Sequence, residues 1–185
     1  ASQEPARADQ HLQDAAVADP LAAEPWRQLA LRGFDRWLEA PTAEVPTDFR
    51  TCMETALELA PNSAATWQMC GDGYWQAFLK TGGDDPLREA VSAYGRAVEL
   101  YPNSPVNRAN LAMAFRATGD ETGFLEQATM ALRLDEQTPH SDKKLGAALR
   151  NELRRGLSRS SYRAGPRDIL DRNGAHSVRS PGSGR

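Results

Sequence analysis

Histidine, cysteine and clustered acids are the side chains with which this chain could move protons, attack a carbonyl or hold a metal. The histidines are His11, His140 and His176. None stands with both a nucleophile and a carboxylate at helical spacing, so a solvated surface position is expected for each. Cys52 and Cys70 have no metal-ligand spacing and build no disulfide framework. They read as small core residues, with pairing to each other as the sharper alternative, and the redox compartment stays open. Gly71-Asp72-Gly73 has the opening of a calcium-binding loop, but the later ligands and the closing Glu are missing. It also lies inside a helical pattern, where two glycines read as close packing. Asp84-Asp85 reads as a helix cap rather than a proton-sharing pair. There is no Gly-rich dinucleotide or phosphate loop, no HExxH and no GxSxG. The expectation is no catalytic residue, no metal and no cofactor.

The elements that position these residues repeat. Trp26, Phe34, Trp37 and Leu38 recur as Trp67, Trp75, Phe78 and Leu79, 41 residues on. At the same offset Met53, Ala56, Leu59 and Pro61 recur as Tyr94, Ala97, Leu100 and Pro102, and Pro20 falls on Pro61. Each unit reads as two helices. Trp26, Leu29, Ala30 and Gly33, and then Trp67, Cys70, Gly71 and Tyr74, stand at i, i+3, i+4, i+7, which is one helical face. This spacing predicts first helices over 24–39 and 64–80, with second helices over 48–60 and 86–101. Asp85 is placed to cap the last of these, with Pro86 in its first turn. Pro41 and Pro46 break the first hairpin, and Gly82-Gly83 break the second.

A third unit runs over 105–138 with a period of 34 residues. Leu111, Ala112 and Phe115 face inward from its first helix, Gly119-Asp120 makes the turn, and Phe124, Ala128 and Ala131 face inward from its second. The extra residues of the longer units fall at the hairpin tips. One added turn of about 3.6 residues per helix accounts for them, so the first two hairpins are expected to be taller. Ahead of the array, Ala8, Leu12, Ala15 and Pro20 sit at second-helix positions, which makes 1–22 a partial repeat. Behind it, Leu145, Gly146, Leu149, Leu153 and Leu157 predict a closing helix over 141–157 with a charged outer face, as a solenoid's end requires. The expected organisation is therefore 1–22, hairpins 23–63, 64–104 and 105–138, a cap at 139–157, and a Ser-, Arg- and Gly-rich disordered tail at 158–185.

Trp67, Cys70, Gly71, Tyr74, Ala90, Tyr94, Ala97 and Pro102 follow W-x2-L-G-x2-Y, A-x3-F, A, P. The chain resembles the tetratricopeptide repeat family. That resemblance covers about residues 8–157 and implies an all-α superhelix whose first helices line a groove for a protein or peptide partner. By the same resemblance, groove positions are Arg27, Leu31, Phe34 and Asp35 in the first unit and Gln68, Asp72, Trp75 and Gln76 in the second. Asn110, Met113 and Arg116 follow in the third, and Lys143, Arg150 and Asn151 at the cap. Phe34 and Trp75 share one repeat position off the packing stripe. They are either exposed aromatic anchors of an interface or buried by the taller hairpins. Family members that clamp chaperone C-termini need Asn, Asn and Lys where this chain has Leu31, Met69 and Val106, so that partner is rejected.

Hydrophobic residues make up 40% and charged residues 25% of the 185, which suits a water-soluble fold. No apolar run approaches the roughly 20 residues of a membrane span. The missing initiating Met and the absence of a basic-then-apolar opening suggest a fragment or processed product. The net charge of -3 divides unevenly: residues 139–185 carry +7 and residues 1–138 carry -10. The basic end suggests an alternative, a module that meets an anionic polymer or membrane surface there; no specific nucleic-acid site is expected. Arg outnumbers Lys nineteen to three, a usage that suggests a GC-rich bacterial genome. Residues 19–26 resemble part of the soluble tail of bacterial O-antigen ligase- and polymerase-type membrane proteins. That would make the array a module of a larger protein, with membrane contact only through the parent.

Overall fold

The computed structural model describes residues 3–42 and 44–163. Residues 164–185, most of the expected tail and His176 with it, lie outside the described residues. Eight α-helices and no strand occur among the described residues: α1 (Gln3–Ala18), α2 (Ala23–Glu39), α3 (Thr47–Leu59), α4 (Ala64–Thr81), α5 (Asp84–Leu100), α6 (Pro105–Thr118), α7 (Glu121–Gln137) and α8 (Ala147–Arg163). The pairs α2–α3, α4–α5 and α6–α7 pack as three hairpins in series, flanked by α1 against α2 and α8 against α7 and α6. This is the all-α repeat architecture expected from the sequence, and it arises because one amphipathic hairpin cannot bury its apolar stripe alone.

The repeat is written into the helix ends. Ser63 and Ser104, 41 residues apart, cap α4 and α6: each Oγ accepts an N–H three residues on, from Thr66 and Asn107, at 3.2 Å. A second bond repeats with different chemistry. Trp67 Nε1 donates to the Pro61 carbonyl at 2.9 Å, and Arg108 Nε donates to the Pro102 carbonyl at 2.7 Å. Two unlike residues thus fasten the start of each first helix to the inter-hairpin turn. Gly82 (φ 69°) and Gly119 (φ 81°) end α4 and α6 in the left-handed region, where glycine carries no Cβ penalty.

Three apolar clusters follow the hairpins. Phe34, Trp37, Phe49, Met53 and Cys70 centre the first, Tyr94, Val98 and Leu111 the second, and Phe124, Ala128, Leu145 and Leu153 the third. The Gly71-Asp72-Gly73 segment is helical, and its glycines admit neighbouring rings. A Cβ on Gly71 would lie 2.6 Å from the Tyr94 ring, and one on Gly73 would lie 2.3 Å from the Phe49 ring. Gly71→Ala should therefore destabilise by roughly 1–3 kcal/mol through overpacking, against a helix-propensity gain of up to about 1 kcal/mol. A urea midpoint equal to or above the wild type's would show that α4 and α5 separate freely.

Three expectations are corrected. Both first helices of the long units carry the extra turn, as α5 does at its start, but α3 does not. In the first hairpin the added residues form the link before α3, where Pro46 (φ -55°, ψ 135°) stands outside the helix and Val45 is buried. Asp85 is not a cap. Gly83 occupies that position, α5 begins at Asp84, and Asp85 pairs with Arg88 one turn on. The closing helix begins later than expected, because the Asp135 carboxylate accepts the Leu145 N–H at 2.7 Å and holds the preceding segment out of the helix, and it also ends later. Ser141–Lys143 form a separate 3-10 turn. Residues 158–163, expected in the tail, continue α8, whose Gly156 lies against Phe124: a Cβ there would be 2.2 Å from that ring.

Candidate functional site

The crease between α4 and α6 collects polar groups from three helices onto one carboxylate. Tyr94 of α5 donates its hydroxyl to Asp72 Oδ1 at 2.8 Å, and Asn110 of α6 donates Nδ2 to the same oxygen at 3.2 Å. Gln68, one turn earlier on α4, also hydrogen-bonds the carboxylate. Burial pushes the Asp72 carboxyl above its ordinary range, and the bonds from Tyr94 and Gln68 only partly pull it back. Burial likewise pushes the Tyr94 phenol up, and the Asp72 charge adds to the effect. Tyr94 is thus a neutral donor at any ordinary pH, fixed beneath a half-buried acid.

Of the groove positions expected from the sequence, Gln68, Asp72 and Asn110 come together here. Trp75 is half-buried beside them on α4, its ring 5.4 Å from Phe78, and it packs on the cluster of Tyr94, Val98 and Leu111. Gln76 and Asp35 are exposed, and Leu31 is half-buried. Met113 is half-buried against the third cluster, toward α8.

The others are placed differently. Phe34 is 4% exposed and stacks between Trp37 (5.1 Å) and Phe49 (4.9 Å), so it is core and not a groove anchor. Arg27 pairs with Glu24 at 3.0 Å, and its buried Nε has no hydrogen-bond partner among the described residues. Arg116 lies over the Phe124 ring at 5.6 Å and reaches Glu152 of α8 at 2.8 Å. Arg150 is not a groove residue: it pairs with Asp135 at 2.6 Å and donates to the Leu145 carbonyl at 2.7 Å. Lys143 is exposed in the 3-10 turn, off the helix that was to present it. Tyr94 was expected only as a packing residue; its hydroxyl, the one polar feature of that repeat position, was the signal of a further role.

Chemistry elsewhere is sparse. Cys52 and Cys70 are free thiols, and burial pushes Cys70 up to about 12, with Glu89 and Glu54 adding to the rise. At neutral pH it is a protonated core residue. His11 and His140 are exposed. A cleft of about 870 Å³ opens at the hairpin tips, lined by Glu44, Glu54, Asp84, Asp85 and Glu89 with Arg50 and Arg88. These acids are all solvent-exposed. Among the described residues no group of His, Cys, Asp or Glu is placed to hold a metal ion. No helix among them is long and apolar enough to cross a membrane.

No family model matches the chain. Over 76 residues it is 36% identical to Small glutamine-rich tetratricopeptide repeat-containing protein 2 of Mycosarcoma maydis, a match that covers 41% of this chain and 22% of that protein. The chain therefore spans about a fifth of that relative's length. Two crystal structures of MamA superimpose with TM-scores of 0.52 and 0.54 at 14% identity, covering 87% and 92% of this chain and 89% and 87% of theirs. With three hairpins in series and flanking helices at both ends, the chain has the fold of a tetratricopeptide-like helical solenoid.

Proposed function

We propose that the chain is a non-catalytic scaffold module that holds a protein or peptide partner along α2, α4 and α6. The observation that carries this reading is the α4–α6 crease, where half-buried Trp75, Asp72 and Asn110 combine an aromatic surface with fixed polar groups. Aromatic anchors beside oriented hydrogen-bonding groups are what a peptide-binding surface needs. The partial relative, a tetratricopeptide repeat-containing protein, supports the same class. A place within a larger bacterial protein, with membrane contact only through that parent, belongs to this proposal and rests on the Arg usage and residues 19–26.

Peptides selected from a random display library on the full chain test the reading. Trp75→Ala should weaken them at least about tenfold, as loss of an interface anchor does, while helicity is kept and stability falls by only about 1–2 kcal/mol. Unfolding of this variant, or unchanged affinity, would remove the crease from consideration. Arg154, Arg155 and Arg159, exposed on α8, favour a second reading in which that end meets an anionic polymer or surface. Such binding would survive Trp75→Ala, which separates the two.

A further inference from the structure

We propose that the crease between α4 and α6 takes its peptide through a Lys or Arg side chain that pairs with Asp72. The inference rests on the scaffold reading above and deepens it by naming the chemistry of the ligand.

Asp72 is half-buried, yet each group that hydrogen-bonds it is neutral: the Tyr94 hydroxyl at 2.8 Å, the Asn110 amide at 3.2 Å and the Gln68 amide. No Lys or Arg among the described residues forms an ion pair with it. The arginines at the other groove and cap positions are committed elsewhere, Arg27 to Glu24, Arg116 to Glu152 and Arg150 to Asp135. A carboxylate held away from water is costly unless a cation compensates it. Packing alone does not call for one here. The same repeat position carries Leu31 in the first hairpin and Met113 in the third, both half-buried. One acid between two apolar steps fits a ligand with a single positive charge flanked by apolar residues. Tyr94, Asn110 and Gln68 take three of the carboxylate's lone-pair directions, and a carboxylate offers about four, so one is left for a ligand. Residues 1–138, at a net -10, add a field that draws a cationic segment and repels an acidic one.

The test uses the full chain and fluorescein-labelled heptapeptide pools of mixed Leu, Ala, Ser and Gln. The central residue is fixed as Lys, Arg, Nε-acetyl-lysine, norleucine or Glu, and anisotropy is read at low and high salt. The Lys and Arg pools should bind at least about tenfold tighter than the norleucine pool, with an advantage that shrinks as salt rises. Acetyl-lysine removes the charge without touching the protein and should bind like norleucine. Asp72→Asn keeps an oxygen for Tyr94 and Asn110 and should erase the preference, bringing the Lys and Arg pools level with the norleucine pool. Equal binding of all pools to the wild type, with Trp75→Ala weakening them alike, would overturn the charge pairing and leave the scaffold reading standing. A preference that survives in Asp72→Asn would overturn it too. If no pool binds, both readings fall.

Discussion

Phe49→Ala is expected to remove about 3–5 kcal/mol of folding stability, the range for a fully buried aromatic truncated to methyl. Phe49 is 0% exposed. Its ring lies 4.9 Å from Phe34, stands edge-on to Tyr74 at 5.5 Å, and occupies the notch that Gly73 leaves in α4. It therefore contributes to the first hairpin and to the join between the first hairpin and the second. One wall of that notch is the α4 backbone at Gly73, which cannot swing into the cavity, so the cost should fall in the upper part of that range. Because a solenoid is coupled only through nearest neighbours, the loss should also be local. Amide exchange should show α2 and α3 opening ahead of α5, α6 and α7, and denaturant unfolding should broaden or split. A change of less than about 1 kcal/mol, or uniform loss of protection along the chain, would show that the join does not depend on this ring.

The repeat was legible because packing imposes it. Trp26, Trp67 and Arg108 share a register, and the structure shows why Arg108 belongs there: it makes the same bond to the preceding turn that Trp67 makes. The sequence offset identified the position, while its chemistry lay in a carbonyl that no periodicity reports. Trp67 shares the repeated face of Cys70, Gly71 and Tyr74, yet it is only half-buried, and its indole reaches out to the Pro61 carbonyl.

Phe34 and Trp75 show the limit more clearly. They are repeat equivalents, but burial depends on what the neighbouring helix offers. Phe49 and Trp37 close over Phe34, whereas Trp75 has Phe78 and the exposed end of α4 beside it. Asp72 could be placed on a helix face from spacing alone. That Tyr94 and Asn110, 22 and 38 residues away, converge on it could not. The start of α8 was missed for a similar reason, since the group that holds Leu145 out of the helix sits on α7.

That group gives the other large effect. Asp135→Ala should cost about 2–4 kcal/mol, somewhat under the figure for breaking a fully buried pair, since Arg150 retains some solvent contact. The Asp135 side chain is 5% exposed and Arg150's is 27% exposed. The carboxylate accepts Arg150 Nε at 2.6 Å and the Leu145 N–H at 2.7 Å, so its removal leaves the guanidinium with no counter-charge, held only by the Leu145 carbonyl, and a buried amide unpaired. Leu145 (3% exposed) and Leu153 (0%) would lose the anchor that seats them on α7, and α8 should exchange its amides faster than the hairpins do.

The acid dependence carries a distinct signature. Burial alone would raise the Asp135 carboxyl, but the bonds from Arg150 and Leu145 outweigh it and hold it below the ordinary 3.8. A folded-state value below the unfolded one stabilises fully above the unfolded pKa and is lost as pH falls through the folded pKa. The gap between wild type and Asp135→Ala should thus be widest near neutral pH and narrow as pH falls below 3.8. Asp72 acts in the opposite sense. Its raised carboxyl favours the folded state at low pH and loses that contribution as pH rises through its folded value. Since Asp72 is present in both proteins, its effect cancels in the difference. Thermal melts of the two proteins from neutral to acid pH make the measurement, and a gap that stays constant would mean that the Arg150 pair does not hold α8.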